Sequence, residues 1–365
     1  MIRACKRGWV AVAGVMLAAG CGGTADHSGT SGPQASSPGS SGTSTGAPRL
    51  LFVTNGNSDW WNAVEKWTTD AGKEFGVQVE MKRNNSQLQG QVEKLREALA
   101  RSDVQGIAVS VFEADAPGVL DAMRELQKSG KVVIAIDSDV ASDAADARAA
   151  YIGTNNVRAG ETAGRAAKTL RPQGGKVEVF VGTASAANAR ERREGFFKGA
   201  GDKFVLDETW EDGNDPGRAA SNVKSAVGKN PDLGLLLGLW SYNAAPIAEE
   251  VKANAELRKK ANAVTFDLDE AAVDQIAAGN IDASVCQNPY EMGYQGVKLL
   301  KALIAKDEKT IKEVLPDGKT RDTGVRVIVP SADSPVMKEN KAKGDDVITI
   351  EEMKKWLDSK GLKSS

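Results

Sequence analysis

The chain has 365 residues, with 47 Lys and Arg against 49 Asp and Glu and a single histidine, His27. A formal net charge of −2 offers no basic excess to attract a nucleic acid. Past His27 there is no imidazole for a Ser-His-Asp triad, a Cys-His pair or a histidine metal site, so many hydrolase chemistries drop out.

Residues 1–20 read as an export signal. Arg3, Lys6 and Arg7 precede the apolar stretch Gly8–Ala19, which is too short to span a bilayer comfortably. "LAAGC" resembles a bacterial lipobox, which implies that Cys21 becomes the lipidated first residue of the mature chain; cleavage near Ala19 or Gly20 without lipid is the alternative. Residues 21–48 read as a disordered tether, since 21 of the 27 residues from Gly22 to Pro48 are Gly, Ser, Thr or Pro. Such a coil spans roughly 30 Å. With no acidic residue in positions 1–20, loss of the signal's three positive charges takes the net from −2 to −5. Cys5 leaves with the signal, so Cys286 in "ASVCQ" is the body's one cysteine and reads as a small buried hydrophobe.

From residue 49 apolar runs alternate with helical patterns. "LLFVTN", "GIAVSVF", "KVVIAID", "KVEVFVG", "LGLLLGL", "AVTFD" and "DASVCQ" are nearly continuous in apolar character, as expected of strands covered on both faces. The helical patterns between them close on Gly76 and Gly130, among others. Alternation of this kind predicts an α/β fold with doubly wound parallel sheets, and the length predicts two lobes. Ligands of such sheets bind at the carboxyl ends of strands. The stretches there are polar and aromatic: Asn57–Trp61, Phe112–Asp115, Asp137–Asp139, Thr183–Arg192, Trp210–Asp215, Trp240–Asn243, Asp267–Asp269 and Gln287–Tyr290. With no Gly-x-Gly-x-x-Gly turn and no Walker loop, nucleotide phosphates are not expected.

Trp60, Val64, Trp67, Ala71 and Phe75 form one helical stripe. Trp67 is expected in the core, and Trp60, at the helix mouth, either packs or binds. Trp61 shares its face with Glu65 and Thr68, so packing against a sheet does not account for it; a flat ring there suits the C–H face of a sugar. Asp137 and Asp267 each end a strand-like run and either accept hydroxyl hydrogen bonds or cap a turn. Arg192, on the inward face near a helix start, suits bidentate hydroxyl recognition. Arg190 and Glu194 read as an exposed i, i+4 pair. Trp210 is expected to pack, whereas Trp240 is placed at the site. Gln287, before "NPY", brings an amide that both donates and accepts. Asp269 and Asp274 do not complete a calcium loop, and no metal or cofactor is expected.

These landmarks, "DWW", "IAID", "YIGTNN", "NARERREGF", "NPDLGLLLG", "AVTFDLD" and "DASVCQNPYEMGYQGV", lie in one order between residues 49 and 330. In that order they resemble the ribose-binding branch of periplasmic sugar-binding proteins, the substrate-binding subunits of ABC importers. The resemblance implies two Rossmann-like lobes joined by three crossing strands near Gly153, Gln287 and Gly324. Residues 49–153 with 288–324 would form the first lobe and 154–287 with 325–337 the second, followed by an extension, 338–365, with a short helix. It also implies that Trp60 and Trp61 stack on one face of a sugar ring, and that Asp137, Arg192, Asp267 and Gln287 bind hydroxyls. Ser58, Ser138, Asn214 and Trp240 depart from the ribose-binding pattern, so a monosaccharide or polyol other than ribose is expected. The implied activity is capture without catalysis by a lipid-anchored monomer outside the cytoplasm, which hands its sugar to a membrane permease. A subunit serving a chemoreceptor or sensor kinase and a carbohydrate-active enzyme are the alternatives.

Overall fold

The computed structural model describes residues 46–85 and 87–365. The signal, Cys21 and all but the end of the tether lie outside the described residues.

The first sheet collects the strands that open the chain. β1 (Arg49–Val53), α1 (Trp60–Phe75), β2 (Gln78–Lys82), α2 (Leu88–Ala100), β3 (Val104–Val109), α3 (Pro117–Lys128), β4 (Val132–Ile136) and β5 (Tyr151–Gly153) follow in order. The alternation of side chains along a strand splits β1 between two cores. Leu50 and Phe52 face α1, and Leu51 and Val53 face α2 and α3. Both faces are therefore covered, which is why the run is apolar throughout.

The second sheet is built the same way. It takes α4 (Asn156–Leu170), β6 (Gly175–Val181), α5 (Ala187–Ala200), β7 (Phe204–Glu211), α6 (Pro216–Lys229), β8 (Leu233–Gly238), α7 (Ala244–Ala253), α8 (Ala255–Lys260), β9 (Asn262–Phe266), α9 (Glu270–Ala277) and β10 (Ala283–Cys286). Val177, Val179 and Val181 of β6 face α4 and α5, while Phe180 faces α6 and α7.

The chain then returns. α10 (Pro289–Ala305) packs Met292, Val297 and Leu300 onto Leu50 and Phe52 of the first sheet, followed by α11 (Glu308–Val314) and β11 (Thr320–Asp322). β12 (Arg326–Val329), α12 (Pro335–Ala342), β13 (Val347–Thr349) and α13 (Ile350–Lys360) belong to the second sheet and its cover. Strand orders are β11-β5-β4-β3-β1-β2 and β13-β12-β10-β9-β8-β6-β7. Every pairing is parallel except β10 with β12.

The chain passes between sheets after Gly153, between Cys286 and Pro289, and between Asp322 and Arg326. These passages are tied to one another. Thr323 donates from its main-chain nitrogen to the Gly153 carbonyl (2.8 Å), the Asp322 carboxylate accepts from the Asn155 nitrogen (3.2 Å), and the Thr154 hydroxyl donates to the Gln287 amide oxygen (3.0 Å). Residues 338–365 are not an appendage. The boundary expected at 337 falls inside α12, β13 is the edge strand of the second sheet, and α13 buries Ile350, Met353 and Leu357.

α4 and α5 approach until their backbones touch. A methyl group on Gly160 would lie 2.2 Å from the Arg192 carbonyl oxygen, and one on Gly195 would lie 2.0 Å from that of Val157. Only glycine permits this separation, and it brings Asn156 at the start of α4 beside Arg192 of α5. None of the described helices is long and apolar enough to cross a membrane.

Candidate functional site

The carboxyl ends of both sheets face one cavity of about 270 Å³. Three of its lining residues, Asp137 (φ 63°), Asn214 (φ 63°) and Asp267 (φ 59°), lie in the left-handed backbone region without being glycine. They follow β4, β7 and β9. Such a conformation is costly for most residues and is tolerated best by Asp and Asn. Here it turns three polar side chains toward the same space.

Asp137 is 4 % exposed and accepts from the Ser110 hydroxyl (2.7 Å). Burial pushes its carboxyl up to about 6, against the pull of Arg192 and Ser110, and Asp267 adds to the rise. Asp267 accepts from the Gln287 main chain and side-chain amide, both at 2.8 Å, and its carboxyl is also raised by burial, opposed by Arg192. Gln91 holds the floor: its amide donates to the carbonyls of Thr54 (3.0 Å) and Ser110 (2.7 Å), joining the ends of β1 and β3.

Arg192 is 1 % exposed, the largest fully buried side chain of the described residues. Nε donates to Asn156 Oδ1 (3.0 Å) and Nη1 to the Leu239 carbonyl (2.7 Å), and the guanidinium lies over the Phe266 ring at 4.6 Å. Nη1 is 3.8 Å from Asp267 Oδ2, and Nη2 has no partner at all. A buried guanidinium nitrogen without a partner is uncommon, and this one belongs to a residue that lines the cavity. Asn214 Nδ2 is a second buried donor without a partner.

Trp60 and Trp61 both line the cavity and both are almost completely buried, at 4 % and 3 %. This corrects two expectations. Trp61 does pack, because Thr68 on its face is not exposed but lies against Gly293 of α10. The two indole planes stand at 88° with centroids 4.9 Å apart, so only one of them can lie parallel to a given ligand ring, while the other meets it edge-on. Trp67 is half-buried, away from the core of its own sheet; it packs edge-on against Tyr290 (4.3 Å) in the cluster that contains α13.

Trp240 and Tyr242 form the opposite wall. Trp240 donates from Nε1 to Asn188 Oδ1 (3.2 Å), and Tyr242 donates to Asp212 Oδ1 (2.6 Å). Both need Gly182, where a methyl group would fall 2.2 Å from the Trp240 ring and 2.5 Å from the Tyr242 oxygen. Burial raises the Asp212 carboxyl to about 6 although Tyr242, Asn214 and Asn243 all donate to it.

The cavity thus brings together Ser58, Trp60, Trp61, Asp137, Arg192, Asn214, Trp240, Asp267 and Gln287. Ser138 is the exception: it is fully buried, does not line the cavity, and its hydroxyl has no partner. Gln287 spends its oxygen on Thr154 and an amide hydrogen on Asp267, which makes it first a brace for Asp267. Trp210 packs, donating to Glu178 (2.7 Å), and Asp269 caps α9. Arg190 does not pair with Glu194 but reaches Asp115 of the first lobe (3.6 Å). Asn188 and Tyr242, both in strand-end stretches, also line the cavity; Asn188 stands one turn before Arg192 on the same helix face, a usable signal. Asn55, next to Asp137 (3.5 Å), had none. Cys286 is a buried free thiol, raised well above its ordinary range by burial. Among the described residues no cluster of His, Cys, Asp or Glu is placed to hold a metal ion.

Residues 50–308 match the family described as periplasmic binding protein domain. The D-allose-binding periplasmic protein of Escherichia coli (strain K12) is 26% identical over 257 residues, covering 67% of this chain and 80% of that one. Among solved structures, an ABC transporter solute-binding protein from Agrobacterium vitis with bound D-fucose superposes with a TM-score of 0.70 at 25% identity, covering 80% of this chain and 98% of that one. GanP, a glucose-galactose binding protein from Geobacillus stearothermophilus, gives 0.68 at 26% identity, with 78% and 98% covered. The two sheets with three passages between them, the cavity at their carboxyl ends and the match over most of the body agree: the chain belongs to the periplasmic binding protein family, with a ribose-binding-like fold.

Proposed function

We propose that the protein captures one neutral monosaccharide or related polyol between its lobes and delivers it to an ABC-type importer. The observation that carries this reading is the buried Arg192 with its idle Nη2, set between Asp137 and Asp267 and beside two indoles. A sugar hydroxyl both donates and accepts, so it satisfies a guanidinium and a carboxylate at once. Indole rings take the C–H face of the same ring. Two carboxylates against one guanidinium leave the site unfavourable for an anionic ligand. The relatives' named ligands, D-allose, D-fucose, glucose and galactose, are of this class. Catalysis is not part of the reading: Asp267 is engaged by Gln287 and Asp137 by Ser110, and neither is paired as acid and base.

A thermal-shift screen tests the assignment. D-allose, D-fucose, D-glucose, D-galactose, D-ribose, D-arabinose and xylitol are added singly, and a specific ligand raises the melting temperature as mass action requires. A flat response over the panel, or turnover of an aryl glycoside that disappears in Asp137→Ala, overturns it. We propose further that the body is tethered outside the cytoplasm through lipid on Cys21. Cys21→Ser then moves the protein from the membrane to the soluble fraction; equal partition of both forms refutes the anchor.

A further inference from the structure

The last residues of the chain join the two lobes. Leu268, the neighbour of Asp267, exchanges two main-chain hydrogen bonds with Ser365 (2.7 and 2.9 Å). The Ser364 hydroxyl donates to the carbonyl of Asp59 (3.4 Å), just before Trp60. Leu362, 9 % exposed, shares a cluster with Leu268 and with Ala63 of α1, and Lys360 lies over the Trp67 ring at 5.7 Å. β13 and α13 anchor this segment on the second sheet, whereas Asp59, Ala63 and Trp67 belong to the first lobe. Ser365 also lines a cavity of about 400 Å³ whose other walls include the passage residues Gln287, Asn288 and Gly324.

We propose that residues 361–365 are a strap that favours the closed arrangement of the lobes before any ligand arrives. Rotation about the three passages separates α1 from Leu268. It uncovers Ala63 and Leu362 and breaks the Ser364 hydrogen bond. These interactions therefore belong to the closed form and shift the equilibrium toward it. The closed fraction scales apparent affinity directly, so the strap tightens binding without touching the ligand. That last consequence rests on the proposed sugar capture; the shift in lobe arrangement does not.

The test places spin labels on the exposed Lys128 and Lys224, one in each lobe, as Lys128→Cys and Lys224→Cys in the full chain. Distances are measured by electron double resonance with no sugar present. Removal of residues 361–365 is expected to move the distribution toward longer separations, and Leu362→Ala to move it the same way by less. The Leu362→Ala variant decides the matter if the shortened chain does not fold. An unchanged sugar-free distribution in a folded variant overturns the strap. D-allose affinity is then expected to fall on the order of fivefold with the strap removed. If D-allose and the other sugars do not bind but the distribution still shifts, the strap stands and the sugar assignment fails. If they bind and the distribution does not shift, the reverse holds.

Discussion

Asp137 is buried to a degree that disfavours an ionised carboxylate. Its folded value, about 6, lies above the ordinary 3.8, so the folded state binds its proton more tightly than the unfolded chain does. The sign follows: the contribution to stability is fully present below about 4 and is lost as the pH rises through about 6. Asp212 and Asp269, each raised to about 6 by burial, act in the same direction. The sugar-free protein is thus expected to melt higher at pH 5 than at pH 7. Asp137→Asn keeps an acceptor for the Ser110 hydroxyl and removes the buried charge. It is expected to raise sugar-free stability at pH 7 by roughly 2 kcal/mol, to flatten the pH dependence, and to weaken ligand binding about 10- to 100-fold. Calorimetry at the two pH values, with and without ligand, reads all three; a variant that binds as tightly as the parent refutes the assigned role. The identities of the cavity residues were largely legible, because strand ends are where such folds place polar groups. Orientation was not. Nothing in "DWW" shows that the indoles stand perpendicular, and Ser138, one residue after Asp137, points away from the cavity because the backbone reverses there.

Among the elements, the α4–α5 pair decides how well Arg192 is placed. Gly160 and Gly164 on one helix and Gly195 and Gly199 on the other let carbonyl oxygens sit where methyl groups would otherwise be. The i, i+4 spacing of both pairs is visible in "RAGETAGR" and "REGFFKGA", yet it shows only that each helix has a thin side, not that the two sides meet. Gly195→Ala forces the helices apart, because the obstacle is the Val157 main chain, which cannot rotate away as a side chain would. The expected cost is about 3 kcal/mol, the upper end for overpacking. Ligand affinity should fall as well, because the Arg192–Asn156 hydrogen bond spans the same interface. Stability lost with affinity intact would show that Arg192 is positioned independently of the helix pair. β13 and α13 were harder to read: three residues of strand and a helix after a polar stretch carry no pattern that says which lobe receives them.

At the scale of the whole molecule, alternation of strand and helix fixed the class, and the order of landmarks located the passages between sheets. What sequence reasoning could not supply was contact across the lobes. The Arg190–Asp115 pair is exposed and contributes little on its own, whereas the apolar cluster around Leu362 excludes water and carries more weight. The same passages also set the order in which the molecule can be completed. β11 pairs with β5, Thr320 against Tyr151, and α10 covers Leu50 and Phe52 near the other end of the chain. The first lobe therefore cannot finish until Asp322 is available, although five of its six strands are synthesised first. Contacts so distant along the chain make folding slow. A chain that folds late has a long interval in which it is still threadable, which would suit the proposed placement of the body outside the cytoplasm.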